Sequence, residues 1–157
     1  MIAVAGAAGN LGPTVVRRLA AAGATLALAG RSAEPLEALA TDVGGGAEAA
    51  AVDVLDAGAP RAWAAGVRER HGRVDGLVHL VGGWRGGTPI EAAPLTDWDI
   101  LHDLLVRTLQ HTTLAFYPHV SASGRGRVVG ISSGQAQSPT HGNASYAAAK
   151  AAADAWL

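Results

Sequence analysis

The sequence predicts an α/β protein built on a doubly wound parallel sheet. Two observations predict it. Short apolar runs alternate along the chain with longer stretches of helical spacing, the signature of βαβ units. The runs are also apolar almost throughout, as suits parallel strands covered on both faces. With right-handed crossovers, the five strands most simply take the order 3-2-1-4-5.

Ile2-Ala3-Val4-Ala5 is the first strand and ends in glycines. Residues 10–22 place Leu11, Val15, Leu19 and Ala22 at helical spacing. Thr25–Ala29 is the second strand, and residues 33–41 form a short helix with Leu36 and Leu39 inward. Residues 48–52 read as a weak strand, because alanine is a poor strand former. Residues 57–71 are helical, and Val74–Val81 contains a buried strand. A Gly- and Pro-rich loop follows over 82–96, then one long helix from Asp97 to about Ser121, capped by Thr96 or Asp97 and ended or kinked early by Pro118. Arg127–Ile131 is the fifth strand, 132–143 a polar loop, and Asn143 or Ser145 opens the last helix.

The chain has 157 residues, 49% of them hydrophobic and 16% charged. One globular domain over 1–157 fits this balance. With no cysteine, disulfides and thiolate metal sites are excluded. Twelve basic against thirteen acidic residues leave a formal charge of −1, which argues against a nucleic-acid groove. No apolar run reaches the roughly 18 residues of a membrane span, and no basic stretch precedes the apolar N-terminus as in a signal peptide. The expectation is a soluble, cytoplasmic protein with neither nucleic-acid nor membrane partners. Six histidines show no helical i, i+4 ligand pair, so they read as surface or packing residues and no metal site is expected.

The turn Gly6-Ala7-Ala8-Gly9-Asn10-Leu11-Gly12 joins the first strand to the first helix. Glycine there permits a sharp bend and close approach to a ligand, and a helix N-terminus attracts a pyrophosphate. Its place between strand and helix favours a dinucleotide seat in a Rossmann-type sheet, the alternative being a glycine pattern that a Gly- and Ala-rich chain makes by chance. The second strand ends at Gly30-Arg31-Ser32, with no carboxylate before Glu34 to hold a ribose 2′-hydroxyl. Arg31 either pairs with a 2′-phosphate, favouring NADP(H) over NAD(H), or is a solvated arginine. Asp53 either accepts from an adenine amino group or closes a loop.

The fifth strand delivers Ser132-Ser133 at its C-terminal end, where open α/β sheets bind ligands. Tyr146 and Lys150 lie four apart, on one face of the last helix. A phenol holds its proton to about pH 10, and a nearby ammonium favours the phenolate. Alternatively Tyr146 packs and Lys150 pairs with Asp154. Lys150 is the only lysine beside eleven arginines, and Tyr146 is one of two tyrosines.

Together these segments resemble the short-chain dehydrogenase/reductase family. VAGAAGNLG is similar to the family's opening glycine motif, in the Gly-x-x-Gly-x-x-Gly form nearer its extended and atypical branches. VDVLD matches the adenine-contacting position at Asp53-Val54, and His79-Leu80-Val81-Gly82 stands where the family has Asn-Asn-Ala-Gly. RVVGISS and YAAAK supply Ser133, Tyr146 and Lys150, with the family's thirteen-residue step from serine to tyrosine.

The resemblance implies hydride transfer between a nicotinamide and a carbonyl or alcohol substrate. Tyr146 would exchange the proton, Ser133 would bind the substrate oxygen, and Lys150 would hold the nicotinamide ribose. Gly6, Gly9, Asn10, Leu11 and Gly12 would seat the pyrophosphate, with Arg31, Asp53, Val54 and Gly82 completing the cofactor site. Members commonly form dimers or tetramers through the long helix and the last helix. Leu105 occupies the place of a relay asparagine, with His102 or Gln110 as polar stand-ins. Trp84, Arg85, Gln135, Gln137, His141 and Asn143 are candidates for the substrate entrance. Relative to the family the chain lacks two further strands and a substrate loop, so it is expected to be truncated. Two other functions remain open: dinucleotide binding without turnover, as a sensor or remnant, and an extended-branch epimerase.

Overall fold

A computed structural model describes residues 1–157. Its sheet has five parallel strands in the order β3-β2-β1-β4-β5, as predicted. These are β1 (Ile2–Ala5), β2 (Leu26–Gly30), β3 (Glu48–Ala51), β4 (Gly76–His79) and β5 (Arg127–Gly130). The helices are α1 (Gly12–Ala21), α2 (Ala33–Val43), α3 (Gly58–His71), α4 (Leu95–Leu101), α5 (Thr108–Ser121) and α6 (Ala144–Trp156).

Alternation along the strands sorts the core onto two faces. Val4, Leu26 and Leu28 point to one face and pack with Val16 of α1 and with Leu36 and Leu39 of α2. Ala3, Ala5, Ala27 and Ala29 point to the other, where small side chains leave room for bulk from the helices. Trp63 of α3 and Phe116 of α5 supply it, with ring centroids 4.6 Å apart in an edge-to-face arrangement. β3, the alanine-rich Glu48–Ala51, is a strand because β2 pairs with it from Ala27↔Glu48 to Gly30↔Ala51. Partner hydrogen bonding overrides its weak propensity.

The long helix differs from expectation. It starts earlier, at Leu95 after Pro94, because Pro94 holds extended backbone and releases a helix directly behind it. It is also divided: residues His102–Arg107 form a π-helical segment between α4 and α5. Leu101, Leu105 and Val106 of this region pack on Ala149 of α6. A π turn carries one extra residue, which lets the adjacent Leu105 and Val106 both reach the same partner helix. Pro118 does not end α5, which continues to Ser121.

Candidate active site

The C-terminal ends of β1 to β4 open into one cleft of about 330 Å³. Each strand delivers its loop: Gly6 and Gly9 after β1, Arg31 and Ser32 after β2, Asp53 and Val54 after β3, and Leu80 to Gly82 after β4. This is the reversal point of the strand order, where open α/β sheets bind ligands. Gly6 is required by its backbone: φ is +80°, and a Cβ would stand 2.8 Å from the Val81 nitrogen. At Gly12 a Cβ would overlap the Ala7 carbonyl. Asn10, Leu11 and Gly12 complete the turn without lining the cleft. α1 begins with no side-chain cap and with Pro13 in its first turn, so N–H groups at that end are open to an anion.

Arg31 is exposed on the cleft and forms no salt bridge, as is also true of Arg18, Arg61, Arg68 and Arg127. Asp53 closes its own loop, Oδ1 accepting from the Leu55 nitrogen at 3.0 Å. Its neighbour Val54 is fixed from α5, where His111 Nδ1 donates to the Val54 carbonyl at 3.0 Å. Sequence reading treated His111 as a generic packing residue and missed this brace, which no local motif signals.

Beyond β5, Ser133 starts a 3-10 turn, its Oγ accepting from the Gln135 nitrogen at 3.2 Å. Tyr146 and Lys150 follow on α6, with the Lys150 Nζ 6.0 Å from the centre of the Tyr146 ring. Lys150 does not form the salt bridge to Asp154 that its spacing allows. Its Nζ donates to the Ile131 carbonyl at 2.5 Å, while Asp154 accepts from Ser132 Oγ at 2.6 Å. Burial holds the Lys150 ammonium below its ordinary value, against the opposing charge of Asp154.

None of Ser133, Tyr146 and Lys150 lines the large cleft. Lys150 lines a second cavity of about 160 Å³, and Val81 borders both spaces. His79 also faces this second cavity. It is 4% exposed, and burial, with help from the Lys150 charge, lowers its pKa to about 4. Neither expected stand-in for the relay asparagine reaches either space. His102 instead lies tilted against Trp98, with centroids 5.6 Å apart.

Two loops meet above α6. Trp84 Nε1 donates to Asn143 Oδ1 at 2.9 Å, and the Gly87 nitrogen donates to the Gly142 carbonyl at 2.7 Å. The segment after β4 is thereby tied to the residues that open α6. Gln135 is turned inward to its own loop, accepting from the Thr140 nitrogen at 2.9 Å.

A family model described as short chain dehydrogenase matches residues 1–157. The chain belongs to the short-chain dehydrogenase family. Among curated relatives, gluconate 5-dehydrogenase of Gluconobacter oxydans is 33% identical over 152 residues, 95% of this chain and 59% of the relative. Serine 3-dehydrogenase of Rhizobium radiobacter is 30% identical over 150 residues, 96% of this chain and 60% of that one. A crystal structure of a metagenomic short-chain oxidoreductase in complex with NADP superposes with a TM-score of 0.88 at 32% identity, covering 100% of this chain and 73% of the other. A short-chain dehydrogenase from Streptomyces avermitilis gives a TM-score of 0.89 at 32% identity, covering 99% and 58%. The chain thus spans about 60% of the length of the curated dehydrogenases it matches. No helix is long and apolar enough to cross a membrane.

Proposed function

We propose that the protein is an NADP(H)-dependent oxidoreductase acting on a small carbonyl or alcohol substrate. The observation that carries this reading is the placement of Tyr146 under the Lys150 ammonium on α6, with Ser133 three residues past the end of β5. A phenol whose ring lies under a fixed cation is suited to exchange a proton with a substrate oxygen. The Ser133 hydroxyl donates to that same oxygen and steadies the charge it develops.

The lining of the cleft supports a dinucleotide: it runs from the glycine turn at Gly6 and Gly9, which leads into the open end of α1, to the exposed Arg31. Gly6, Gly9, Asn10, Leu11 and Gly12 would hold the pyrophosphate, Asp53, Val54 and Gly82 the adenosine and the middle of the cleft, and Lys150 a ribose. A nicotinamide bound there supplies or accepts the hydride. An unpaired guanidinium where a carboxylate would select NAD(H) favours a 2′-phosphate. The NADP complex of a structural relative supports this cofactor class. Self-association through α5 and α6 is part of the same reading, supported by Leu114, Tyr117 and Trp156 exposed on those helices.

Turnover across a panel of carbonyl compounds with NADPH tests the proposal. Tyr146→Phe is expected to lower kcat at least 100-fold, in line with removal of a general acid–base, while leaving NADPH affinity within a few-fold. Equal rates for the two proteins would remove Tyr146 from the reaction. Binding of NADPH without turnover in either protein would favour a dinucleotide sensor, the reading suggested by Leu105.

A further inference from the structure

A continuous series of hydrogen bonds crosses from the loop after β4 to the turn that carries Ser133. It starts at Trp84, which is 60% exposed. An indole so exposed adds little to the core, yet its nitrogen is engaged: Nε1 donates to Asn143 Oδ1 at 2.9 Å. The two loops meet closely enough there to require a small residue. A Cβ at Gly86 would stand 2.5 Å from Asn143 Oδ1 and 3.1 Å from the Trp84 ring.

The direction of each later bond follows from the indole. An indole N–H only donates, so Asn143 turns its oxygen to Trp84 and its amide nitrogen away. That Nδ2 donates to Thr140 Oγ1 at 2.6 Å. Thr140 Oγ1 therefore accepts at this point, and its own hydrogen goes to Gln135 Oε1 at 3.1 Å. The Thr140 backbone nitrogen donates to the same Oε1 at 2.9 Å. With its side chain held in this way, Gln135 donates from its backbone nitrogen to Ser133 Oγ at 3.2 Å. The bond from the Gly87 nitrogen to the Gly142 carbonyl also joins the loops. It is confined to backbone, however, and does not set which way the Asn143 amide faces. Only the Trp84 N–H does.

We propose that Trp84 is a positioning residue for Ser133, acting through Asn143, Thr140 and Gln135. The bond from Gln135 occupies a lone pair of Ser133 Oγ and leaves its one hydroxyl hydrogen to be donated. Trp84 thereby holds the turn in the form that presents this hydrogen to a substrate oxygen. The role of Ser133 rests on the oxidoreductase reading, but the link from Trp84 to its turn does not.

Water–amide exchange, measured by NMR on isotope-labelled protein, reads the link without cofactor or turnover. Trp84→Phe deletes the N–H and keeps an aromatic ring at an exposed place, so the core is untouched. It is expected to speed exchange at the Gln135 and Thr140 amides by about three- to tenfold, as loss of one hydrogen bond in the series allows, and to leave the amides of β1 unchanged. Gln135→Met removes the accepting oxygen and is expected to speed exchange at Thr140; Gln135→Glu keeps an accepting oxygen and is expected to restore it. In turnover of a carbonyl panel with NADPH, Trp84→Phe is expected to lower kcat by about three- to tenfold, with the KM for NADPH unchanged. Placed in Ser133→Ala it is expected to have no further effect, because a residue acting through Ser133 then has nothing to position. Unchanged exchange at Gln135 in Trp84→Phe overturns the proposal, as does an equal rise at the β1 amides, failure of Gln135→Glu to restore Thr140, or additive losses of kcat in the double variant. Coupled exchange in a protein that turns over no carbonyl would retain the link and remove the oxidoreductase reading instead.

Discussion

At the scale of single residues, the proposed preference for NADP(H) rests on Arg31. It stands one residue past β2, exposed on the cleft and unpaired. A charge-assisted hydrogen bond of this kind contributes about 1.5–3 kcal/mol, or roughly 10- to 100-fold in affinity. Arg31→Glu is accordingly expected to weaken NADPH binding by that factor or more, and to leave NADH binding unchanged or improved. Fluorescence titration with both nucleotides checks it, and NADH bound as tightly as NADPH by the unaltered protein would take Arg31 out of cofactor selection. Arg31 was legible in the sequence because an apolar run ending in glycine marks where a strand stops. Tyr146 and Lys150 were legible because helical spacing alone puts residues four apart on one face. His79 was not. The sequence shows a histidine in an apolar run, but only the packing of α5 against β4 shows threonines at both of its nitrogens.

At the scale of elements, the start of α1 depends on one close approach. A Cβ at Gly12 would overlap the Ala7 carbonyl, which is backbone and cannot swing aside. Gly12→Ala is expected to cost about 1–3 kcal/mol, as overpacking does, and to lower Tm by roughly 3–10 °C in a domain of this size. Gly134→Ala is the control, since nothing lies within 4 Å of its Cβ position. Thermal melts compare the two, and similar Tm values would show that the turn relaxes around the added methyl. The elements most faithful to the sequence are those set by long apolar patterns, such as β2 and α3. The π segment at His102–Arg107 escaped because its buried Leu105 and Val106, with Leu101 before it and Leu109 after it, also satisfy an α-helical period. One extra residue in a turn leaves almost no trace in spacing. The helix start at Leu95 was displaced for a different reason. Thr96 and Asp97 look like caps in isolation, but Pro94 sets the boundary before either.

At the scale of the whole molecule, acid is expected to destabilise the protein over two pH windows. His79 stays neutral in the fold down to about pH 4, whereas in the unfolded chain it takes up a proton near pH 6.5. Between those values the unfolded state binds more protons, so stability falls as pH falls through the window, by at most roughly 3 kcal/mol. Asp75 adds a second stage. Burial raises its pKa, but hydrogen bonds from the Met1 ammonium, Arg73 and Arg125 outweigh this and bring it to about 2. Its contribution is present above the ordinary carboxylate range and is lost as pH drops towards 2. Tm measured from pH 7 to pH 2 is expected to decline in both windows, and His79→Gln to flatten the upper one only. A flat Tm between pH 6.5 and 4 in the unaltered protein would mean that His79 is not held neutral.

The bonds from Trp84 to Asn143 and from Gly87 to Gly142 bear on how tightly the proposed oxidoreductase would hold its substrate. A free loop loses its freedom when a ligand orders it, at about 1–2 kcal/mol for each backbone residue fixed. Here the two loops are joined when the chain folds. Under the proposed function, substrate contacts made along them would count towards affinity instead of offsetting the ordering of a loop.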